Sequence, residues 1–150
     1  MSRRPHYLAP LVGEGAAGAS LVIERTGRPL AVRVEPAFAS KERNRGLLGR
    51  DGLDAGAALV IAPSNGIHTF FMRFPIDVIY TDRAGGVLKI TEALAPWRLS
   101  VCLGGFAVVE MAAGSAARAD LRLGDRLSCR IERSGNLRLR DRLKIERLPD

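Results

Sequence analysis

The sequence predicts a mainly β fold of the α+β class: a compact, barrel-like or sandwich-like mixed sheet with one or two short helices. Apolar and polar residues alternate over short segments, which is the period of a half-buried strand. Clusters of Gly, Pro, Asn and Asp separate these segments, as turn residues do in β-rich domains. The chain has 150 residues and no long internal repeat, so we expect one domain.

The N-terminal part of the chain contains the first two predicted strands. Residues 1–18 are rich in Gly, Ala and Pro and are expected to be loosely ordered, with the β-rich domain over residues 19–150. Two short strands are predicted around the turn at residues 26–29. In the second of them the alternation places Val32 on the buried face.

A short helix is predicted to begin at Ser40, which can serve as its N-cap, and to end just before Gly49. Gly46 lies inside this helix, where glycine costs about 1 kcal/mol relative to alanine. The simplest reason for it is the close approach of another backbone segment. A phosphate-binding loop beside Arg45 and Arg50 is the alternative.

The other predicted elements follow in chain order, with turn residues between them. They are a strand over residues 57–62, two strands over 67–82 divided at Pro75, a hairpin turn at 82–86, a strand over 87–92, an irregular loop over 93–105, a strand over 106–111, a chain reversal from Gly114 to Gly124 with a tight turn at Gly124 and Asp125, and a basic hairpin over 126–147.

The positive charge is concentrated at the two ends of the chain. The formal net charge is +7, with nine basic against four acidic residues in 1–50, six against eight in 51–125, and eight against four in 126–150. A basic surface can attract nucleic acid, so we keep nucleic-acid binding through the C-terminal basic face as an alternative function. A solvated surface that keeps the protein in solution is the simpler interpretation.

The chain carries no export signal and no apolar run long enough to span a bilayer. We therefore expect a cytoplasmic protein without a membrane partner. Cys102 and Cys129 are expected to stay reduced in that compartment. No phosphate-binding loop, Cys-x-x-Cys pair or nucleophile elbow is present, so no cofactor is predicted.

Two acidic residues lie inside predicted buried strands. Asp77 lies in a strand that is apolar on both faces, and Glu110 is flanked by Val108, Val109 and Met111. A buried carboxylate is costly unless it is paired or hydrogen-bonded. The nearby groups that could fill this role are arginines, a histidine and the backbone amides of glycine-rich turns.

Three interpretations of these carboxylates remain open. They fix strand ends through backbone amides or an arginine, they line a ligand pocket, or they form a metal or acid–base catalytic site. Our leading hypothesis is a non-enzymatic module that binds a small ligand or a protein partner, and a carboxylate-based or metal-assisted hydrolase is the alternative. The candidate ligand-binding residues are His68, Met72, Arg73, Asp77 and Glu110.

Several motifs together resemble the domain of unknown function 192 family. The segments concerned lie at residues 42–50, 70–72, 75–82, 109–114 and 123–125, and the match runs over about residues 28–132. This resemblance implies a small β-rich bacterial or archaeal domain with no established activity. It singles out Arg45, Met72, Asp77, Glu110 and Gly114.

The chain departs from the typical pattern of that family at five positions. Leu48 replaces a Met, Phe71 a Trp and Arg73 a Lys, which keeps apolar bulk and positive charge. Phe74 and Pro75 replace an Asn-Thr pair, which argues against a polar ligand contact at these two positions.

Overall fold

The computed structural model describes residues 4–12 and 18–132. Short strands dominate these residues, as the alternating sequence predicted. The strands are β1 Ala19–Ile23, β2 Pro29–Ala31, β3 Arg33–Ala37, β4 Ala57–Ile61, β5 Gly66–His68, β6 Ile76–Thr81, β7 Val87–Leu94, β8 Leu99–Val101, β9 Ala107–Ala112 and β10 Leu127–Ile131; the helices are α1 Ser40–Arg45 and α2 Ser115–Arg118.

The strands form three sheets. One has the order β10-β1-β2, the second β3-β4-β9-β6-β7, and the third is the two-stranded ribbon β5-β8. All pairs are antiparallel except β3 with β4, which is parallel. The mainly β class with a mixed sheet and short helices is therefore confirmed. The layers resemble a sandwich, and the described strands do not close into a barrel.

The main core lies between the three-stranded and five-stranded sheets. Leu21, Ile23 and Leu127 face it from the smaller sheet, while Ile79 and Val109 face it from the larger one. All five are essentially inaccessible to solvent. Burying side chains of this kind contributes about 1.5–3 kcal/mol each.

Residues 4–12 pack against this core, although their composition favoured loose order. Leu8 and Leu11 are buried, and a 3-10 turn at Ala9–Leu11 presents them. The hydroxyl groups of Tyr7 and Thr81 are 2.8 Å apart and share a hydrogen bond. Leu8 and Leu11 thus hold residues 4–12 against the core.

A second core covers the opposite face of the five-stranded sheet. Leu59, Val78, Tyr80 and Val108 form its floor, and Leu47 packs onto them from the segment after α1. The β5-β8 ribbon covers the same face, where the Tyr80 hydroxyl donates to Ser100 Oγ over 2.9 Å. This second face carries the candidate site.

Two sequence predictions differ from the structure at the edges of strands. The predicted strand that includes Val32 divides into β2 and β3, and Val32 is 56% exposed because the chain there passes from one sheet to the other. The predicted loop over 93–105 contains β8, which a three-residue length and a neighbouring proline concealed. Of the basic hairpin, residues 127–131 form β10, and the remainder lies outside the described residues.

Helix α1 is shorter than predicted and is capped differently. Ser40 is its first helical residue, and the Glu42 carboxylate accepts the backbone N–H groups of Phe38 and Ala39 at 3.2 and 3.3 Å. The helix stops at Arg45 because Gly46 adopts a φ of 47°, a conformation that favours glycine.

The structure also bears on the cysteines and on the expected lack of a membrane span. Cys102 and Cys129 are unpaired and half-buried. In the part of the chain that the structure describes, no helix combines the length and apolar character that a bilayer crossing requires.

Asp125 anchors the turn that precedes β10. Its carboxylate accepts Arg25 Nε at 2.8 Å, Arg25 Nη2 at 3.1 Å and the Arg122 backbone N–H at 2.8 Å. The hydrogen bond from Arg25 holds the pKa of Asp125 below its ordinary value.

Replacement of Asp125 by alanine is expected to lower the free energy of unfolding by about 2 kcal/mol, because charge-assisted hydrogen bonds are lost. Since the folded-state pKa is lowered, this contribution is present above the ordinary pKa and disappears as the pH falls through the folded value. Urea denaturation at neutral and acidic pH measures both effects. Asp54→Ala is the control, because Asp54 is exposed and its one ion pair with a described residue, Arg33, is 3.5 Å long. Equal losses in the two variants at neutral pH would contradict this role of Asp125.

Candidate functional site

A cleft of about 460 Å³ opens on the second face of the five-stranded sheet. Its walls come from the end of α1 and the residues that follow, from the turn between β4 and β5, and from β5. Its polar lining includes Arg43, Asn44, Arg45, Ser64, His68 and Glu110; its apolar lining includes Leu47, Leu48, Ile61, Ile67 and Met72. This volume is in the range of small-molecule sites, about 300–1,000 Å³.

Glu110 lies at the base of this cleft. It is in the middle of β9, opposite Leu59 of β4 on one side and Val78 of β6 on the other. The residue is only 4% exposed. Both cross-strand neighbours are apolar, and Glu110 is the single charged residue of β9.

The Glu110 carboxylate is without a hydrogen-bond partner among the described residues. Burial raises its pKa from 4.5 to about 7, and the positive charge of Arg50 acts in the opposite direction. Such a carboxylate is a strong acceptor whose desolvation cost has not been offset by the protein. A donor group placed in the cleft would offset it.

Three arginines surround this side of the cleft, and two of them are engaged. Arg43 donates to the Phe38 carbonyl and to Ser40 Oγ. Arg50 donates to both carboxylate oxygens of Glu35 at 2.9 and 3.0 Å. Arg45 is exposed at the rim and makes no ion pair with any residue that the structure describes.

His68 and Met72 also line the cleft. His68 is exposed on β5 and stacks on Phe70 with ring centroids 5.0 Å apart. Met72 is buried and contributes apolar surface. Together with Glu110, they are the three members of the predicted ligand-binding set that the structure places around one cleft.

Arg73 and Asp77, the other two members, lie outside the cleft. Arg73 is exposed, and its Nη1 is 2.6 Å from Asp51 Oδ1. An arginine was one of the partners expected for a buried carboxylate, but Arg73 does not pair with Asp77. Arg73 follows a turn that directs it to solvent, whereas Asp77 is inside β6.

Asp77 is fully buried and holds two backbone segments together. Its Oδ1 accepts the Ala93 N–H and its Oδ2 accepts the Ala116 N–H, each at 2.9 Å. Ala93 belongs to β7, and Ala116 belongs to α2. Backbone amides that fix a strand through a buried carboxylate were one of the three interpretations of the sequence.

The motif residues divide between the cleft and the framework. Arg45 and Gly46 line the cleft, and Gly49 and Arg50 follow in the segment beside it. Gly114 adopts a φ of 91° as the N-cap of α2, which positions the Ala116 N–H for Asp77. Gly124 and Asp125 form the turn before β10.

Several cleft residues were missed from the sequence. Arg43, Asn44 and Ser64 come from a helix and a turn that are distant in sequence from β9. Only the packing of these segments over the sheet brings them beside Glu110, so no local pattern identifies them. Within the described ranges, no group of three His, Cys, Asp or Glu side chains is arranged to hold a metal ion.

Comparison with known proteins gives a family and two similar folds. The model of the DUF192 family, described as an uncharacterized ACR, matches residues 21–129. A protein of unknown function from Novosphingobium aromaticivorans has a similar structure, with a TM-score of 0.64 and 24% identity over 73% of this chain and 82% of that chain.

A second similar structure is a "putative transcription regulator" from Sinorhizobium meliloti. Its TM-score is 0.66, with 21% identity over 74% of this chain and 91% of that chain. At these identities the two likenesses show the fold alone. No curated protein matches the chain.

Proposed function

This chain belongs to the DUF192 family of uncharacterized proteins, and we propose that it binds a small ligand in the cleft above Glu110. One observation carries the proposal: a nearly buried carboxylate lines an open cleft and lacks a hydrogen-bond partner among the described residues. The carboxylate oxygens are not sealed off from the cleft, so a ligand donor placed there can hydrogen-bond to them.

The cleft favours a compact molecule with an apolar body and a donor head group. Leu47, Ile61 and Met72 offer apolar contacts, while an ionised Glu110 can only accept hydrogen bonds. A primary amine meets both requirements, and its positive charge also offsets that of the carboxylate. A ligand with an additional anionic group could place it near Arg45 at the rim.

Ligand-observed NMR with three matched probes tests this proposal. Isobutylamine, isobutanol and isobutyric acid share one apolar body and differ in the head group. We expect isobutylamine to bind most tightly, and to bind more tightly as the pH rises through 7 and Glu110 ionises. Glu110→Gln should weaken its binding about tenfold, which corresponds to the loss of one charge-assisted hydrogen bond.

Glu92→Gln is the matched control, because Glu92 is exposed on β7 and away from the cleft. It removes the same charge and should leave the dissociation constant of the amine unchanged. If the amine binds wild-type protein and Glu110→Gln equally well, or binds neither, the proposal is wrong.

The enzymatic alternative uses the same cleft. A carboxyl group with a pKa of about 7 is poised for general acid–base chemistry, and His68 lines the same cleft. Acetate and phosphate esters of isobutanol would reveal it in the same experiment. Their NMR signals would disappear with time in the presence of wild-type protein and persist with Glu110→Gln.

A further inference from the structure

A row of exposed apolar side chains runs along β8. Trp97, Leu99, Val101 and Leu103 are 55%, 70%, 53% and 88% exposed. Leu99 and Val101 are alternate residues of β8 and share one face, while Trp97 and Leu103 flank them at its two ends. Ser100, between them, is buried on the opposite face and contacts Tyr80. We call these four residues the β8 stripe.

Phe71 extends the β8 stripe at one end. It is 71% exposed, and its ring centroid is 4.6 Å from that of Trp97. Both aromatic residues have positive φ angles, 64° for Phe71 and 67° for Trp97. Bulky residues rarely adopt this conformation, which costs about 1–3 kcal/mol each and is concentrated at functional surfaces.

Thr69 holds the two strained turns in place. Its carbonyl accepts the N–H groups of Met72 at 3.2 Å and Trp97 at 2.9 Å, and its hydroxyl donates to the Ala95 carbonyl at 2.7 Å. These hydrogen bonds hold the two turns in the conformation that leaves Phe71 and Trp97 exposed.

The outer backbone edge of β8 is open. In the β5-β8 ribbon, Thr69 N–H donates to the Arg98 carbonyl and Cys102 N–H donates to the Asn65 carbonyl. In this antiparallel register, the backbone N–H and carbonyl groups of Leu99 and Val101 therefore point away from β5. The Val101 carbonyl accepts Lys89 Nζ at 2.9 Å. The N–H and carbonyl groups of Leu99 have no partner among the described residues.

The surroundings of the stripe are basic. Residues 64–76 and 93–106 contain His68, Arg73 and Arg98 but no Asp or Glu. Lys89 adds a positive charge directly beside the open edge. Asp51 approaches from outside these segments and pairs with Arg73, and Glu110 lies in the cleft beside β5.

We propose that the β8 stripe and its open edge bind an extended segment of a partner protein that alternates apolar and acidic residues. Such a segment would add a strand to β8 through the Leu99 backbone groups. Its apolar side chains would flank Leu99 and Val101, and its acidic ones would approach Lys89. Exposed Trp and Phe side chains are typical anchors of protein interfaces.

Other occupants fit these observations less well. A second copy would bring the same basic residues together. Nucleic acid matches the charge but gives Leu99, Val101 and Leu103 no apolar surface to contact. In a bilayer, the open Leu99 backbone groups would lose water without gaining a partner.

Trp97 is the single tryptophan of the chain and reports directly on the stripe. The probe is a capped octapeptide of alternating Glu and Leu, titrated while the tryptophan emission and its quenching by acrylamide are measured. We expect a blue shift and reduced quenching. Leu99→Lys should weaken binding at least tenfold, and the matched control Leu123→Lys, at a 67% exposed position outside the stripe, should not.

The alternative occupants are tested in the same titration. A capped peptide of alternating Lys and Leu, an oligothymidylate and vesicles of phosphatidylglycerol should each leave the emission unchanged at concentrations where the acidic peptide saturates. The proposal is overturned if one of them shifts the emission and the acidic peptide does not, or if the acidic peptide has no effect. A dimer in sedimentation velocity that Leu99→Lys abolishes would assign the stripe to a second copy instead.

Discussion

Replacement of Asp77 by alanine is expected to lower the free energy of unfolding by about 4 kcal/mol, since each hydrogen bond to a charged group contributes about 1.5–3 kcal/mol. The carboxylate is fully buried and accepts the N–H groups of Ala93 and Ala116. The alanine variant would leave both amides without a partner inside the protein. It would also release β7 from α2, whose first turn is held by this contact.

Asp77→Asn is expected to lose about half as much, because its amide oxygen can still accept one of the two bonds. Asp51→Ala is the control, since the Asp51 side chain is 88% exposed and its ion pair with Arg73 is on the surface. Urea denaturation followed by circular dichroism measures all three. A loss below about 1 kcal/mol for Asp77→Ala would refute the structural role.

The Asp77→Asn variant also separates the two carboxylates functionally. If it folds, it should bind isobutylamine as the wild-type protein does, because Asp77 lies outside the cleft. Weakened binding in a folded Asp77→Asn protein would return Asp77 to the ligand-binding set.

Glu110 should give the protein an unusual dependence of stability on pH. Its pKa is raised from 4.5 to about 7 by burial, so the folded protein holds this proton more tightly than the unfolded chain does. Its contribution to stability is therefore fully present below pH 4.5 and is lost as the pH rises through 7. The shift corresponds to about 3 kcal/mol between the two limits.

Glu110→Gln removes the titrating carboxyl group. The difference in unfolding free energy between this variant and the wild-type protein therefore reports on Glu110 alone. The free energy of unfolding of the variant relative to the wild-type protein should rise by about 3 kcal/mol from acidic to mildly alkaline pH. Glu92→Gln, at an exposed position, should show no such trend. A difference between Glu110→Gln and wild type that is independent of pH would rule out the raised pKa.

The two carboxylates show how far the sequence could predict the site. Both were recognised as charges inside apolar strands, and both are buried in the structure. The local pattern is the same for each, but their surroundings differ. Asp77 meets two backbone amides, from β7 and α2, whereas Glu110 meets an open cleft. That difference is made by segments distant in sequence, which strand alternation cannot reveal.

The same limit explains the other discrepancies. Strands bounded by turn residues, such as β6, β7 and β9, were predicted near their observed bounds. β8 was assigned to a loop because three residues are too few to show a period. Arg73 was expected at the site because it precedes Asp77 closely in sequence, but the intervening turn separates the two side chains.

The most direct test of the account is the titration of the Glu110 carboxyl carbon by NMR in protein labelled at glutamate, with Glu110→Gln used to assign the signal. We expect an apparent pKa of about 7 for the free protein and a lower value when isobutylamine is bound. A pKa near the ordinary value of 4.5, unchanged by the amine, would contradict a desolvated, unpartnered carboxylate at the base of the cleft and, with it, the proposed binding site.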